Sequence, residues 1–181
     1  MNKITKAVIP CGGMGTRFLP ITKTLPKEML PVIDTPVLSY IVEEAAKSGI
    51  TDVLLIINEK KKDIKKYFTP DPELEDALLA AGKTTYLQRL KNIYSMANIS
   101  FVYQPKPLGS GDAVMRAKSF TGDQPFCLSW GDDLIEANPP VMKQLIGAFE
   151  QTGCPIVGVQ KMESDDIVKY GVAKVSESSG K

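Results

Sequence analysis

Histidine is missing from this chain of 181 residues. Its absence removes Ser-His and Cys-His nucleophilic chemistry and every metal site that needs an imidazole. Any catalysis must then rest on carboxylates, lysine, arginine, backbone donors and a bound metal. Cysteine is scarce too, with Cys11, Cys127 and Cys154 in an odd number, each within or beside an apolar run. That pattern predicts buried, reduced thiols rather than a disulfide framework. Neither sign of charge prevails: 22 basic and 21 acidic residues leave a formal charge of +1, which offers no electrostatic case for a nucleic-acid or membrane partner. No stretch approaches the roughly twenty apolar residues of a membrane span, and the first residues lack the apolar core of a signal peptide. Cytoplasm is the expected compartment.

What is present is the composition of a globular domain, 43% hydrophobic and 24% charged, and the length suits one domain over residues 1–181. Apolar strand-like runs alternate with helix-like segments. Strands are predicted over Ile4 to Pro10, Asp52 to Ile57, Ile99 to Tyr103, Pro125 to Trp130 and Pro155 to Gln160. Helices are predicted over Pro36 to Ser48, from the charged run Glu59–Lys66 to about Phe68, over Asp112 to Ser119 and over Pro140 to Gln151. In the first helix Val37, Tyr40, Ile41, Glu44 and Ala45 share a face, and in the charged one the lysines read as a solvated face. Such alternation predicts an α/β domain with a mostly parallel sheet and right-handed crossovers. Residues from about 70 to 97 interrupt it with helix alone. Asp71 is placed to cap a helix opened by Pro72, Gly82 to break it, and Leu87, Leu90, Ile93 and Tyr94 to form a stripe that packs on the sheet or meets another subunit.

The chemistry gathers at three loops. The first, Cys11-Gly12-Gly13-Met14-Gly15-Thr16-Arg17, follows the first strand. Closely spaced glycines let backbone N–H groups approach an anion, and Arg17 and Lys27 bracket the loop with positive charge, which suits a triphosphate. It is neither a Walker loop, which needs Lys-Ser/Thr after its last glycine, nor a dinucleotide fingerprint, which needs glycine where Phe18 stands. The second is Gln104-Pro105-Lys106-Pro107-Leu108-Gly109, beyond the third strand. The Gln104 amide offers a donor and an acceptor that match the O4/N3–H edge of uracil, and Gly109 brings backbone close to a base or ribose. The third, Gly131-Asp132-Asp133, puts carboxylates at a strand end, an ordinary place to hold Mg²⁺. Each loop taken singly also fits a plain turn.

Gly13-Met14-Gly15-Thr16-Arg17-Phe18-Leu19-Pro20 with Pro26-Lys27-Glu28-Met29-Leu30-Pro31 closely resembles the signature of sugar-nucleotide pyrophosphorylases, and most of all the bacterial UTP–glucose-1-phosphate uridylyltransferases. The order of glycine loop, basic residue, glutamine loop and strand-Gly-Asp-Asp is also similar to theirs. The resemblance implies a Rossmann-like three-layer nucleotidyltransferase fold, with a helical insertion at about 70–97. It implies that UTP and glucose 1-phosphate give UDP-glucose and pyrophosphate, with Mg²⁺ as cofactor. Arg17 and Lys27 would be catalytic, on the leaving pyrophosphate and the α-phosphate. Gly12, Gly13, Gly15, Thr16, Glu28, Gln104, Gly109 and Gly171, the last in a Tyr-Gly-Val segment, would bind substrate, and Asp132 would hold the metal. The expected partners are those two substrates, with no nucleic acid and no membrane, and the expected assembly is a homo-oligomer. Thymidylyl or cytidylyl transfer to a sugar 1-phosphate is the alternative reaction. Two positions depart from the pattern: Cys11-Gly12 stands where Ala-Ala is usual, and Asp112 where many members have histidine. Family members also continue well past position 181, with a Glu-Lys-Pro segment, a second metal-binding aspartate and further strands. Val172 to Val175 followed by Ser178 to Lys181 reads as a strand entering a hairpin without its return, so truncation at the C-terminus is expected. An inactive nucleotide-binding fragment is the accompanying alternative.

Overall fold

The computed structural model describes residues 3–161, 163, 167–168 and 170–174. Four strands form one sheet: β1 (Lys6–Pro10), β4 (Asp52–Ile57), β5 (Asn98–Tyr103) and β6 (Cys127–Leu128). A separate antiparallel pair joins β2 (Pro31–Val32) and β3 (Thr35–Pro36). The sheet order is β5-β4-β1-β6, and every pairing in it is parallel. Ala7 stands opposite Val53 on one side and Cys127 on the other, while Leu55 stands opposite Phe101.

Continuous apolar runs make these strands because both faces of the sheet are covered. Ala7, Ile9, Val53, Leu55 and Ile57 point to one side, and Val8, Leu54 and Ile56 to the other, all buried. The first face packs under α1 (Val37–Lys47), α2 (Lys62–Tyr67) and α7 (Val141–Thr152), through Leu38, Ile41, Ala45, Ile64, Met142 and Ile146. The second packs against Ala113 on α5 (Ser110–Met115) and Ala117 just after it, with Phe120 on α6 (Lys118–Thr121) and Phe126 at the margin. The result is the three-layer arrangement.

Two more helices, α3 (Pro72–Ala80) and α4 (Thr84–Ser95), lie between β4 and β5 in the sequence. Asp71 caps α3 by accepting a bond from the Leu74 amide at 3.2 Å, with Pro72 in the first turn. On α4 the stripe of Leu87, Leu90, Ile93 and Tyr94 is half-buried. Ile93 meets the main core, and the Tyr94 hydroxyl donates to Glu75 on α3.

Several expectations are corrected. The run Pro155–Gln160 forms no strand, and Val157 and Val159 are exposed. A strand exists only where a ladder receives it, and β6 pairs with β1 over two residues. That shortness also trims the expected strand Pro125–Trp130. The helix expected from Asp112 to Ser119 is two, parted by a turn at Arg116 and Ala117. On α1 the buried face is Leu38, Ser39, Ile41, Val42 and Ala45, shifted by one position from Val37, Tyr40 and Glu44. Cys11 is buried, but Cys127 is half-buried and Cys154 exposed, all three as free thiols. Of the expected terminal hairpin, Val172–Lys174 is not a strand, and Val175 and Ser178 to Lys181 lie outside the described residues. Among the described residues no helix is long and apolar enough to cross a membrane.

Because the four strands run the same way, the ends of β1, β5 and β6 open onto one edge. From β1 the chain proceeds to β4 and β5 on one side, then returns to β6 on the other. Open α/β sheets bind ligands at such a reversal, beyond the carboxyl ends of the strands.

Candidate functional site

A cleft of about 470 Å³ lies at that edge, with Gly12, Gly13, Lys27, Gln104, Trp130 and Asp132 among its lining residues. The glycine loop enters it directly from β1. The Cys11 amide donates to the Ile56 carbonyl at 2.7 Å, extending the β1–β4 ladder by one bond. The Asn58 side-chain amide then donates to the Gly12 carbonyl at 3.1 Å. Glycine at position 12 leaves room for the Gln104 amide: a Cβ there would stand 2.6 Å from the Gln104 Oε1 and would push that side chain aside. At Gly15 it is required by backbone, with φ at +67°, where Thr22 Oγ1 donates to the carbonyl at 2.8 Å.

Lys27 crosses this loop. A Cβ at Gly13 would lie 3.5 Å from the Lys27 Nζ, so the ammonium rests over the glycine backbone. The same ammonium donates to Asp132 Oδ2 at 2.5 Å, with both side chains partly exposed to the cleft. The short segment after β6 is docked on β1 by Ser129 donating to Val8 and Gly131 to Pro10. One cation from the loop after β1 and one carboxylate from the end of β6 therefore meet, although 105 positions separate them.

Gln104 follows β5, its amide N–H bonded to the Ile57 carbonyl at 2.7 Å. The side chain is buried, and its Nε2 donates to the Gly109 carbonyl at 3.0 Å and to Asp112 Oδ2 at 2.8 Å. Both amide hydrogens are thus committed within the chain. The amide oxygen is the end that has no partner among the described residues, so the donor and acceptor expected for uracil are not both unengaged.

Glu28 lies next to Lys27 and is fully buried, with Lys61 Nζ donating to its two carboxylate oxygens at 2.8 and 2.7 Å. Burial raises the Glu28 carboxyl above its ordinary value, against the opposing pull of the Lys61 charge. The Cys11 thiol beside this pair is pushed well up, first by burial and then by the Glu28 charge. Glu28, expected among the substrate-binding side chains, is among the residues lining the cleft, and its carboxylate is held by Lys61, which ties the Pro26–Pro31 segment to the start of α2. Lys61, expected on a solvated face, is instead buried as its partner.

Of the remaining candidates, Gly109 lines the cleft and Thr16, Arg17 and Gly171 do not. Thr16 and Arg17 sit on an exposed single turn beside the glycine loop. Gly109 has φ at +98°. Gly171 is exposed, and among the described residues nothing lies within 4 Å of where its Cβ would stand. Sequence reasoning missed Trp130, which lines the cleft as the only tryptophan, and Asn58, whose side chain braces Gly12. A single tryptophan at a strand end beside Gly-Asp-Asp was the available signal. For Lys61 there was none, because one buried lysine among five in a charged run looks like its neighbours.

A Mg²⁺ ion commonly takes one or two carboxylates, with phosphate oxygens and waters completing six ligands. Asp132 fits that need, since its Oδ1 accepts no hydrogen bond among the described residues. Among those residues no group of three His, Cys, Asp or Glu side chains is arranged to hold a metal unaided.

The family model for nucleotidyl transferase matches residues 6–181. The uridylyltransferase YngB of Bacillus subtilis, named for UTP and glucose 1-phosphate, is 46% identical over 179 residues, or 99% of this chain and 60% of that protein. UTP–glucose-1-phosphate uridylyltransferase 2 of Staphylococcus saprophyticus is 44% identical over 100% of this chain and 63% of its own length. This chain therefore spans about three-fifths of the curated relatives it matches. Among solved structures, a UTP-bound UDP-glucose pyrophosphorylase from Acinetobacter baumannii superposes with a TM-score of 0.78 at 36% identity, covering 83% of this chain and 54% of that one. Sequence likeness runs along nearly the whole of a chain whose glycine loop, lysine and aspartate converge at the end of a parallel sheet, and the chain belongs to the nucleotidyl transferase family.

Proposed function

We propose that this protein takes part in uridylyl transfer, in which UTP and glucose 1-phosphate give UDP-glucose and pyrophosphate. The observation that carries the reading is Lys27, whose ammonium is held between the Gly13 backbone and Asp132 in a cleft open to solvent. Relatives named for this reaction support it along nearly the entire chain.

In-line displacement has the sugar-phosphate oxygen attack the α-phosphorus of UTP while the α–β bridging bond breaks and its electron pair leaves with pyrophosphate. Such transfer depends on positioning and charge neutralisation more than on a proton carrier, in keeping with a chain without histidine. Lys27 faces the α-phosphate, and the glycine loop offers backbone donors to the outer phosphates. Arg17 stands on an exposed turn outside the cleft lining, and its role on the leaving pyrophosphate requires its side chain to swing in over the glycine loop. The base lies toward Gln104. Asp132 would hold a divalent ion, proposed as Mg²⁺, which would supply neutralisation of phosphate charge when bound.

Pyrophosphate release, measured over a panel of nucleoside triphosphates and sugar 1-phosphates, tests the reading. Release with UTP and glucose 1-phosphate together is expected, and equal release with any base would sink it. Asp132→Asn keeps the shape but removes the charge. Its activity should fall, and the Mg²⁺ concentration for half-maximal rate should rise. An unchanged Mg²⁺ titration would put the ion elsewhere.

A further inference from the structure

We infer that Asp112 is a positioning residue that sets the base preference of the cleft by fixing which end of the Gln104 amide faces the pyrimidine. The inference rests on the uridylyl reading above and adds to it the device that distinguishes one base from another. The Gln104 Nε2 has two hydrogens, and both have acceptors on the same side, the Gly109 carbonyl and Asp112 Oδ2. Rotating the amide by half a turn would set its oxygen against both acceptors. Asp112 does not adapt, because Arg116 grips it twice, Nε on Oδ2 at 3.1 Å and Nη2 on Oδ1 at 3.2 Å. Those bonds, and then the one from Gln104, hold the Asp112 carboxyl below its ordinary value, so near neutral pH it can only accept.

The amide oxygen is the end left over. It accepts no hydrogen bond among the described residues and is not sealed from solvent, in a side chain that is otherwise 5% exposed. A fixed acceptor in a nearly buried wall selects a ligand that brings an N–H to it. Uracil has one such group, N3–H. Cytosine placed in the same pose has a lone pair at N3, which would face the oxygen of Gln104, and its 4-amino hydrogens meet that oxygen only if the ring shifts from the uracil position. Thymine shares N3–H with uracil, so the device excludes cytosine and not thymine. The uracil O4 must then find its donor elsewhere than in Gln104.

The test uses the 181-residue chain with Trp130 fluorescence as the binding signal, since the only tryptophan lines the cleft. UTP and CTP are titrated separately into wild type, Asp112→Asn and Arg116→Gln. Wild type should favour UTP by roughly tenfold or more, the scale of one hydrogen bond made against one repelled. The side chain introduced by Asp112→Asn can accept from the Gln104 amide in one orientation and donate to it in the other. In that variant the UTP-to-CTP ratio should therefore fall by roughly tenfold, with CTP gaining as UTP loses. Arg116→Gln loosens the same carboxylate and should move the ratio in the same direction by less. A purely structural role would weaken both nucleotides together and leave the ratio in place. UTP binding with an unchanged ratio in both variants would overturn the role of Asp112 while leaving the uridylyl reading intact. A wild type that prefers CTP, or has no preference, would remove both. Should Asp112→Asn lose its cooperative thermal transition, the ratio in Arg116→Gln decides alone.

Discussion

Lys27→Ala is expected to lower turnover roughly a hundredfold or more, the scale for removing one preorganised electrostatic stabiliser, with far less effect on UTP affinity. The Lys27 ammonium is matched most closely when negative charge moves onto the leaving group, and the glycine loop still offers its backbone donors to the ground-state phosphates. Stability should change little, because the Lys27–Asp132 pair is partly exposed and such pairs contribute about 0–1 kcal/mol. The pair has a second consequence. In the free chain Lys27 is engaged by Asp132, so a nucleotide must draw the ammonium away from the carboxylate as it binds. Lys27→Ala and Asp132→Asn should therefore be non-additive, with the double variant little slower than the worse single one. Steady-state pyrophosphate release with separate kcat and KM values checks this. A loss carried wholly by KM would contradict a role for Lys27 in the transition state.

The parts of this site that are legible in the sequence are those that local chemistry dictates. The glycines after β1, Lys27 beside Pro26 and Gly131-Asp132 at a strand end are each short segments with their own signatures, and the parallel sheet follows from alternating apolar runs. What is not legible depends on distant partners. Gln104 reads as a free amide, yet Asp112 and Gly109 together decide which of its atoms is available. Lys61 reads like its charged neighbours, since nothing in Glu59–Lys66 says that this one ammonium meets a carboxylate 33 positions earlier. Pro155–Gln160 has the composition of a strand, yet strand formation needs an edge to pair with. Patterns along the chain carry the fold, whereas polar partnership inside it is a property of the third dimension.

The buried partnership carries the largest expected effect on stability. Lys61→Met keeps the length and apolar stem of the lysine but leaves the Glu28 carboxylate without its counterion in a fully buried setting. Breaking one side of a buried pair typically costs about 3–5 kcal/mol, a large share of the stability of one domain. The pH dependence follows from the direction of the Glu28 shift. A carboxyl whose folded value is raised stabilises the fold fully below its unfolded value, about 4.3, and that contribution is lost as pH rises through the folded value. Removing Lys61 raises the folded value further. The deficit of Lys61→Met should therefore be largest at neutral pH and narrow on acidification toward pH 5, as Glu28 takes up a proton and becomes a neutral buried group. Adding Glu28→Gln to Lys61→Met should recover much of the loss at pH 7, since an amide needs no counterion and both partners then lack charge. Chemical denaturation of the wild type, the single and the double variant at pH 7 and pH 5 measures each quantity. A deficit that is the same at both pH values, with no recovery in the double variant, would mean that Lys61 acts through packing of its stem alone.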